Sequence, residues 1–349
     1  MLKCSDPYVF TARTSIPIPK VHLYCSTPNN PVRAEWILMD FVRGSRFVDC
    51  FDELNYEQKT RTATDLALVV SELFSFTSSY CGTLLRDQSL AEDQRSPRYT
   101  VPEASTASSE SHSEITDNDY LIGPVNDVTF LGLNEIVPAA SCGPFHSERQ
   151  FLEAFAYRGS PGTRSSEKIE RWAFEKIFEV YDVVRPLYPI SSPNGQRFHF
   201  AHGDLSVANV MLDPNTGAIT GILDWEMAGF RPAWLSAAGP MWFNDDSCRF
   251  IREDYQNRPD GYEDETEDDS KLREHFYSEL RRRSPDFLQH YRQGVELRAI
   301  FYNLCQDFPG NPTVWLEKYE EYEWDVNARG PFPFDLMRWI EEQLDLHEQ

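Results

Sequence analysis

The part of the chain that most constrains the fold is a run of three short strands and their connections, residues 198–226. The strands are short and rich in apolar residues, and Asp213–Gly217 is a dense turn signal between the second and third. The strands are Phe198–Phe200, Val210–Leu212 and Ile219–Leu223. The first connection holds Asp204 and Asn209, and Asp224 directly follows the third strand. The hairpin between the second and third strands is therefore expected to bring these three polar residues together.

Two carboxylates and one amide in such a place favour a particular chemistry. Mg²⁺ prefers oxygen ligands and keeps its remaining positions for water or substrate phosphates. A carboxylate that is not used as a metal ligand can orient a hydroxyl group and accept its proton. The residue types alone thus indicate a site for metal-assisted chemistry on a hydroxyl.

The stretch His202-Gly-Asp-Leu-Ser-Val-Ala-Asn209, followed by Asp224, resembles the catalytic loop and metal motif of the aminoglycoside phosphotransferase family. These enzymes are relatives of choline kinases and, more distantly, of protein kinases. The resemblance implies that Asp204 is the catalytic base, and that Asn209 and Asp224 hold the Mg²⁺ ions that bridge the phosphates of ATP. It also implies transfer of the γ-phosphoryl group to a hydroxyl of a small molecule. Which molecule accepts it, and the oligomeric state, stay open.

Two strands are expected near the start of the chain, at Lys20–Cys25 and Ala34–Val42, because turn-forming residues separate them. The second strand contains the apolar run Trp36–Met39, which suits a strand covered on both faces. This strand resembles the family's fifth strand as it enters the hinge between the lobes. The resemblance implies that Met39 borders an adenine pocket, and that backbone groups from Asp40 to Val42 bind the adenine edge.

Family members place a phosphate-covering loop, a lysine and a glutamate ahead of their fourth strand, which here begins near Lys20. We therefore expect an α+β, protein-kinase-like, two-lobed fold. Its truncated N-terminal lobe and hinge are expected over residues 1–43, and a large, mainly helical C-terminal lobe over residues 44–349. The absent phosphate cradle leaves an alternative open: a catalytically inactive pseudokinase, or a module that binds a ligand or a protein.

Helical spacing of apolar residues predicts helices over about residues 55–76 and 166–186, and mostly helical structure after Lys271. The spacing of Ser147 and Gln150 is that of a capping box at the start of another helix. Residues 86–119 are rich in Ser, Thr, Glu and Asp, and are interpreted as a flexible insertion.

The charge of the chain argues against some partners. There are 33 basic and 56 acidic residues, a formal net charge of −23, which disfavours nucleic acid and anionic membrane surfaces. No apolar run approaches the ~18 residues of a membrane span. The first residues lack the apolar core of a secretion signal. Seven scattered cysteines are interpreted as reduced thiols in a cytoplasmic protein.

Overall fold

The computed structural model describes residues 13–25, 27–86, 120–127, 130, 142–156, 167–188, 198–240, 267–305 and 312–347. The strands are β1 (Val21–Cys25), β2 (Trp36–Met39), β3 (Ser45–Arg46), β4 (Thr77–Ser78), β5 (Thr83–Arg86), β6 (Tyr120–Gly123), β7 (Phe198–Ala201), β8 (Val210–Leu212), β9 (Ile219–Ile222) and β10 (Gly229–Pro232). The helices are α1 (Phe47–Cys50), α2 (Tyr56–Phe74), α3 (Glu148–Ala156), α4 (Glu167–Val184), α5 (Ala233–Ser236), α6 (Glu267–Arg283), α7 (Pro285–Gln293), α8 (Val295–Leu304), α9 (Pro312–Lys318), α10 (Val326–Arg329) and α11 (Leu336–His347). The predicted helices at residues 55–76 and 166–186 are thus confirmed as α2 and α4.

Helix α2 begins at a complete capping box. The Asn55 side chain accepts from the N–H of Gln58, and the Gln58 side chain accepts from the N–H of Asn55. The buried face of the helix includes Leu66, which is fully enclosed. The helix packs lengthwise against α6, so two long amphipathic helices form one wall of the core.

The strands predicted around the polar loop form two small antiparallel sheets. One sheet has the order β3-β8-β9, and the other has the order β10-β7-β4. Helix α2 also holds the turn between β8 and β9. Thr62 donates to the carbonyl of Gly217 (2.6 Å), and the Gln58 amide donates to the carbonyl of Asn215 (2.7 Å). The hairpin is therefore anchored to the core at its tip as well as through its strands.

Strands β1 and β2 pair with each other and form a separate two-stranded sheet. All four residues of β2 are exposed, from 37% for Trp36 to 52% for Leu38. The expectation that this apolar run is covered on both faces is therefore wrong for the described residues. Apolar composition reports an affinity for burial, but it does not determine which surface provides the burial.

Strands β5 and β6 form an antiparallel pair that was not predicted from the sequence. The pair is joined to the rest of the molecule by a bridge between Gly82 and Phe230, the latter in β10. Arg86, the first residue of the predicted flexible insertion, is instead the last residue of strand β5. The remainder of the insertion, residues 87–119, lies outside the described residues.

The mixture of small sheets and many helices confirms the α+β class. In the part of the chain described above, no helix is both long enough and apolar enough to span a bilayer. The predicted division into lobes at residues 43 and 44 stays a prediction.

Candidate functional site

The loop between β7 and β8 is fixed by a buried histidine. His202 is 2% exposed, its Nε2 donates to the carbonyl of Leu223 (2.9 Å), and its Nδ1 accepts from the N–H of Asp204 (3.3 Å). Burial lowers the pKa of His202 to about 4, so the imidazole is neutral near pH 7. The hydrogen bonds of His202 therefore hold the Asp204 loop against the end of β9.

Asp204 and Asn209 are in direct contact. The Asn209 amide donates to the carboxylate of Asp204 (2.9 Å) and to its carbonyl oxygen (3.0 Å). The Asn209 carbonyl in turn accepts from the N–H of Leu223 (2.8 Å), which ties the loop to the end of β9. The carboxylate of Asp204 is thereby held in one orientation at the surface of the loop, and it is only partly buried.

One residue, Leu223, separates Asp224 from the end of β9. The backbone conformation of Asp224 is unusual. Its φ of 61° and ψ of 65° lie in the left-handed region, which Asp adopts more readily than most residues. Its side chain is exposed. A left-handed residue here turns the chain sharply into a short 3₁₀ segment, Trp225–Met227. Trp225 is buried and its indole donates to the carbonyl of Ile222, so this residue is a packing residue.

A third carboxylate, Glu226, lies close to the other two. Its pKa is raised by partial burial and by the negative charges of Asp224 and Asp204. Asp204 and Asp224 therefore both lie within electrostatic reach of Glu226.

The donor set fits Mg²⁺ in its chemistry. The Asn209 amide nitrogen is engaged by Asp204, which leaves its Oδ1 for a cation. The carboxylate of Asp224 accepts no hydrogen bond from the described part of the chain. Both are oxygen donors, as Mg²⁺ requires. Within the described residues, no group of three or more His, Cys, Asp or Glu side chains has the arrangement of a metal site. Asn209 and Asp224 would therefore need further ligands, such as water and phosphate, to complete the coordination of Mg²⁺.

The predicted hinge residues lie in two different settings. Met39 is the last residue of the exposed β2 and is 41% exposed. The N–H of Asp40 donates to the carbonyl of Lys20 (2.8 Å), and its carboxylate contacts Nε2 of His22 (2.7 Å). Val42 lies beside β9, because a Cβ on Gly221 would come within 2.5 Å of its side chain. Val42 therefore lies directly against the strand that leads to Asp224.

Two residues at the site were missed by sequence reasoning. The Asn126 amide donates to the carbonyl of Glu226 (2.6 Å), and the Arg231 guanidinium donates to the carbonyl of Met227 (3.2 Å). Asn126 lies after β6, and Arg231 lies in β10. Both contact backbone atoms, so no motif of side-chain types could have indicated them.

Comparison with known proteins gives one family match. The profile of the phosphotransferase enzyme family matches residues 8–267. Among curated proteins, subtelomeric hrmA-associated cluster proteins from two strains of Aspergillus fumigatus are 23% identical to this chain over 280 residues, covering 71% of this chain and 53% of theirs. The chain thus spans about half the length of these curated relatives. Clavilactone A biosynthesis cluster protein Y of Ampulloclitocybe clavipes is 36% identical over 75 residues, covering 21% of this chain and 18% of that protein.

Solved structures with similarity to this chain are aminoglycoside phosphotransferases. One is a thermostable mutant of APH(4)-Ia in ternary complex with ADP and hygromycin B, at 15% identity and a TM-score of 0.41, covering 86% of this chain and 74% of that one. Another is the streptomycin–ATP–APH(2")-IIa ternary complex, at 13% identity and a TM-score of 0.37, covering 93% of this chain and 75% of that one.

Proposed function

The chain belongs to the phosphotransferase enzyme family, and we propose that it transfers the γ-phosphoryl group of ATP to a hydroxyl group of a small molecule. The observation that carries the proposal is the arrangement of Asp204. Its carboxylate is oriented by Asn209 (2.9 Å), its N–H is bound by the neutral His202 (3.3 Å), and it shares a neighbourhood with Asp224. A fixed, solvent-accessible carboxylate is what a hydroxyl acceptor requires.

In the proposed reaction, Asp204 orients the acceptor hydroxyl and takes its proton. The acceptor oxygen forms a bond to the γ-phosphorus as the bond from that phosphorus to the bridging oxygen breaks, and ADP leaves with the electron pair. The enzyme contributes mainly by holding the reacting groups in line, since the transition state needs little covalent help from the protein.

Asn209 and Asp224 are proposed to hold Mg²⁺ through Oδ1 and the carboxylate. When bound, Mg²⁺ would neutralise negative charge on the β- and γ-phosphates. The left-handed backbone of Asp224 supports this role, because residues in sparsely populated conformations cluster at functional sites. The preceding strand is anchored through the hairpin, so the Asp224 carboxylate is presented on a rigid base.

For the nucleotide base we propose the segment from Met39 to Val42. The N–H of Asp40 is already bound to Lys20, so the adenine edge would be recognised by the carbonyl of Asp40 and the N–H of Val42. The position of Val42 against Gly221 supports this assignment, because Gly221 lies in β9, the strand that precedes Asp224.

We also propose a cytoplasmic setting. Among the described residues, Cys25, Cys50 and Cys81 are free thiols, and Cys50 and Cys81 are buried. Buried thiols packed as small apolar groups are consistent with a reducing compartment. The buried thiols therefore support the proposed cytoplasmic location.

The experiment is an assay of ATP turnover with a panel of hydroxylated acceptors, comparing wild type with Asp204→Asn. We expect kcat to fall by at least ~100-fold, since general-base contributions are of that size, while the melting temperature stays unchanged. Asp213→Asn is the matched control, because Asp213 lies in the hairpin turn and accepts from the N–H of Asn215 (2.9 Å). It should retain wild-type turnover.

A second readout addresses the alternative of an inactive pseudokinase. ATP at ~100 times its dissociation constant should stabilise an active site by about 2.7 kcal/mol. We expect this gain to require Mg²⁺. Stabilisation by ATP that is equal with and without Mg²⁺, together with no turnover for any acceptor, would favour the pseudokinase. Wild-type turnover in Asp204→Asn would refute the assignment of the base.

A further inference from the structure

A buried arginine lies beneath the site. Arg231 is 5% exposed, and it takes part in no ion pair among the described residues. Its guanidinium instead donates to three backbone carbonyls, those of Asn126 (3.1 Å), Met227 (3.2 Å) and Phe230 (3.1 Å). Burying a charge is costly unless its hydrogen bonds are made. The arginine therefore depends on these carbonyls and, in return, fixes their positions.

Asn126 completes the connection from the other side. Its amide donates to the carbonyl of Glu226 (2.6 Å), its carbonyl accepts from Arg231, and its N–H is held by the hydroxyl of Thr83 (3.0 Å). Two consecutive carbonyls of the segment after Asp224 are thus bound, one by Asn126 and one by Arg231. We call these two residues the backbone clamp.

The segment that contains Glu226 and Met227 contacts the loop that contains Asp204. Gly203 has a φ of +84°, and a Cβ there would lie 2.3 Å from the carbonyl oxygen of Met227. The same Met227 carbonyl that accepts from Arg231 therefore abuts the residue next to Asp204. Any side chain at position 203 would collide with this carbonyl, so the two segments are in direct backbone contact.

We propose that Asn126 and Arg231 are positioning residues, which set the distance between the Asp204 loop and the Asp224 segment and so determine the rate of phosphoryl transfer. The inference deepens the proposed function and rests on it for the rate effect. The backbone clamp acts on carbonyls rather than on the carboxylates, so its loss should change geometry rather than charge. A misplacement of about 1 Å costs roughly 100-fold in rate.

The first experiment compares Asn126→Ala with Asn303→Ala. Asn303 is a matched control, because its amide also donates to a carbonyl, that of Ala299 (2.9 Å), on α8. We expect Asn126→Ala to lower kcat roughly 10- to 100-fold with little change in KM for ATP. Asn303→Ala should leave both unchanged at a temperature where both variants are folded. An equal kcat for the two variants would overturn the proposal, since it would show a purely structural role.

The second experiment needs no turnover. Hydrogen exchange of the backbone amides should become faster in Asn126→Ala over residues 202–205 and 224–228, and stay unchanged in β1 and β2. Arg231→Lys should accelerate the same two segments, because a lysine cannot bridge several carbonyls with a planar fork. Faster amide exchange in only one of these two segments would refute the proposal that the backbone clamp connects them.

The two readouts separate the hypotheses. If the wild type lacks activity but both segments respond in exchange, the backbone clamp stands and the proposed function fails. If the wild type is active and the segments do not respond, the proposed function stands and the backbone clamp fails.

Discussion

The imidazole of His202 joins the Asp204 loop to the end of β9 through two hydrogen bonds that require opposite roles of its two nitrogens. Only the neutral tautomer with its proton on Nε2 satisfies both, because the carbonyl of Leu223 needs a donor and the N–H of Asp204 needs an acceptor. Protonation of Nδ1 would break the contact to Asp204. Burial, which lowers the pKa of His202 to about 4, therefore protects the loop geometry near neutral pH.

This protection has a pH-dependent effect on stability. The pKa is about 6.5 in the unfolded chain and about 4 in the folded one, so the unfolded state binds the proton first as pH falls. The contribution is complete above pH 6.5 and is lost as pH falls from 6.5 to 4. At ~1.4 kcal/mol per pKa unit, His202 should account for about 3 kcal/mol of the loss.

The test uses His202→Gln, which keeps a donor for Leu223. Denaturant unfolding at pH 7 and pH 4 should show a smaller difference in free energy for the variant than for wild type. His290, whose pKa is also lowered to about 4 by burial, is present in both proteins and cancels in the comparison. Identical pH dependence of the two proteins would contradict the assignment.

At the scale of elements, local sequence signals were sufficient to predict some helices and strands but not others. Helix α2 and the β8–β9 hairpin were predicted because periodicity, caps and turn residues lie within a short stretch of sequence. Strand β10 was missed because it begins with Gly229 and ends with Pro232, residues depleted in strands, and because its partner β7 lies elsewhere in the chain. The pairing of β5 with β6 joins residues far apart in sequence, and no local pattern encodes such a contact.

The candidate site divides in the same way. The contact between Asn209 and Asp204 could be anticipated because the two residues share one short loop, whereas the catalytic and metal-binding roles of Asp204, Asn209 and Asp224 stay predictions. Asn126 and Arg231 could not be anticipated, because they bind backbone carbonyls, which every residue supplies. The exposure of β2 was also beyond prediction, since an apolar run is compatible with several surroundings.

The exposure of β2 leads to a prediction about leucines. Leu38 on β2 is 52% exposed, whereas Leu66 on α2 is fully buried. Leu66→Ala should cost ~2–5 kcal/mol of unfolding free energy, because it removes buried methyl groups and leaves a cavity. Leu38→Ala should change the free energy by about 0.5 kcal/mol or less. Chemical denaturation of the two variants measures the difference. A comparable loss at Leu38 would show that β2 is covered in solution.

At the scale of the whole molecule, the acidic excess is the dominant feature. The formal net charge of −23 and an isoelectric point near 4.7 mean that the folded chain repels itself at neutral pH. Local ion pairs, such as the one between Glu148 and Arg185, offset only part of this repulsion, and that pair is nearly buried. Salt should therefore act mainly on the long-range repulsion, since the Debye length shrinks to about 10 Å at 0.1 M.

We expect the melting temperature to rise by several degrees between roughly 0.02 and 0.3 M sodium chloride, because screening weakens repulsion in the compact state more than in the expanded one. Scanning calorimetry at pH 7 measures the shift. The control is the same salt series near pH 4.7, where the net charge approaches zero and the rise should nearly vanish. A melting temperature that falls with salt at pH 7 would mean that exposed ion pairs outweigh the net repulsion. Such ion pairs are usually worth at most about 1 kcal/mol each, so many would have to act together to reverse the sign.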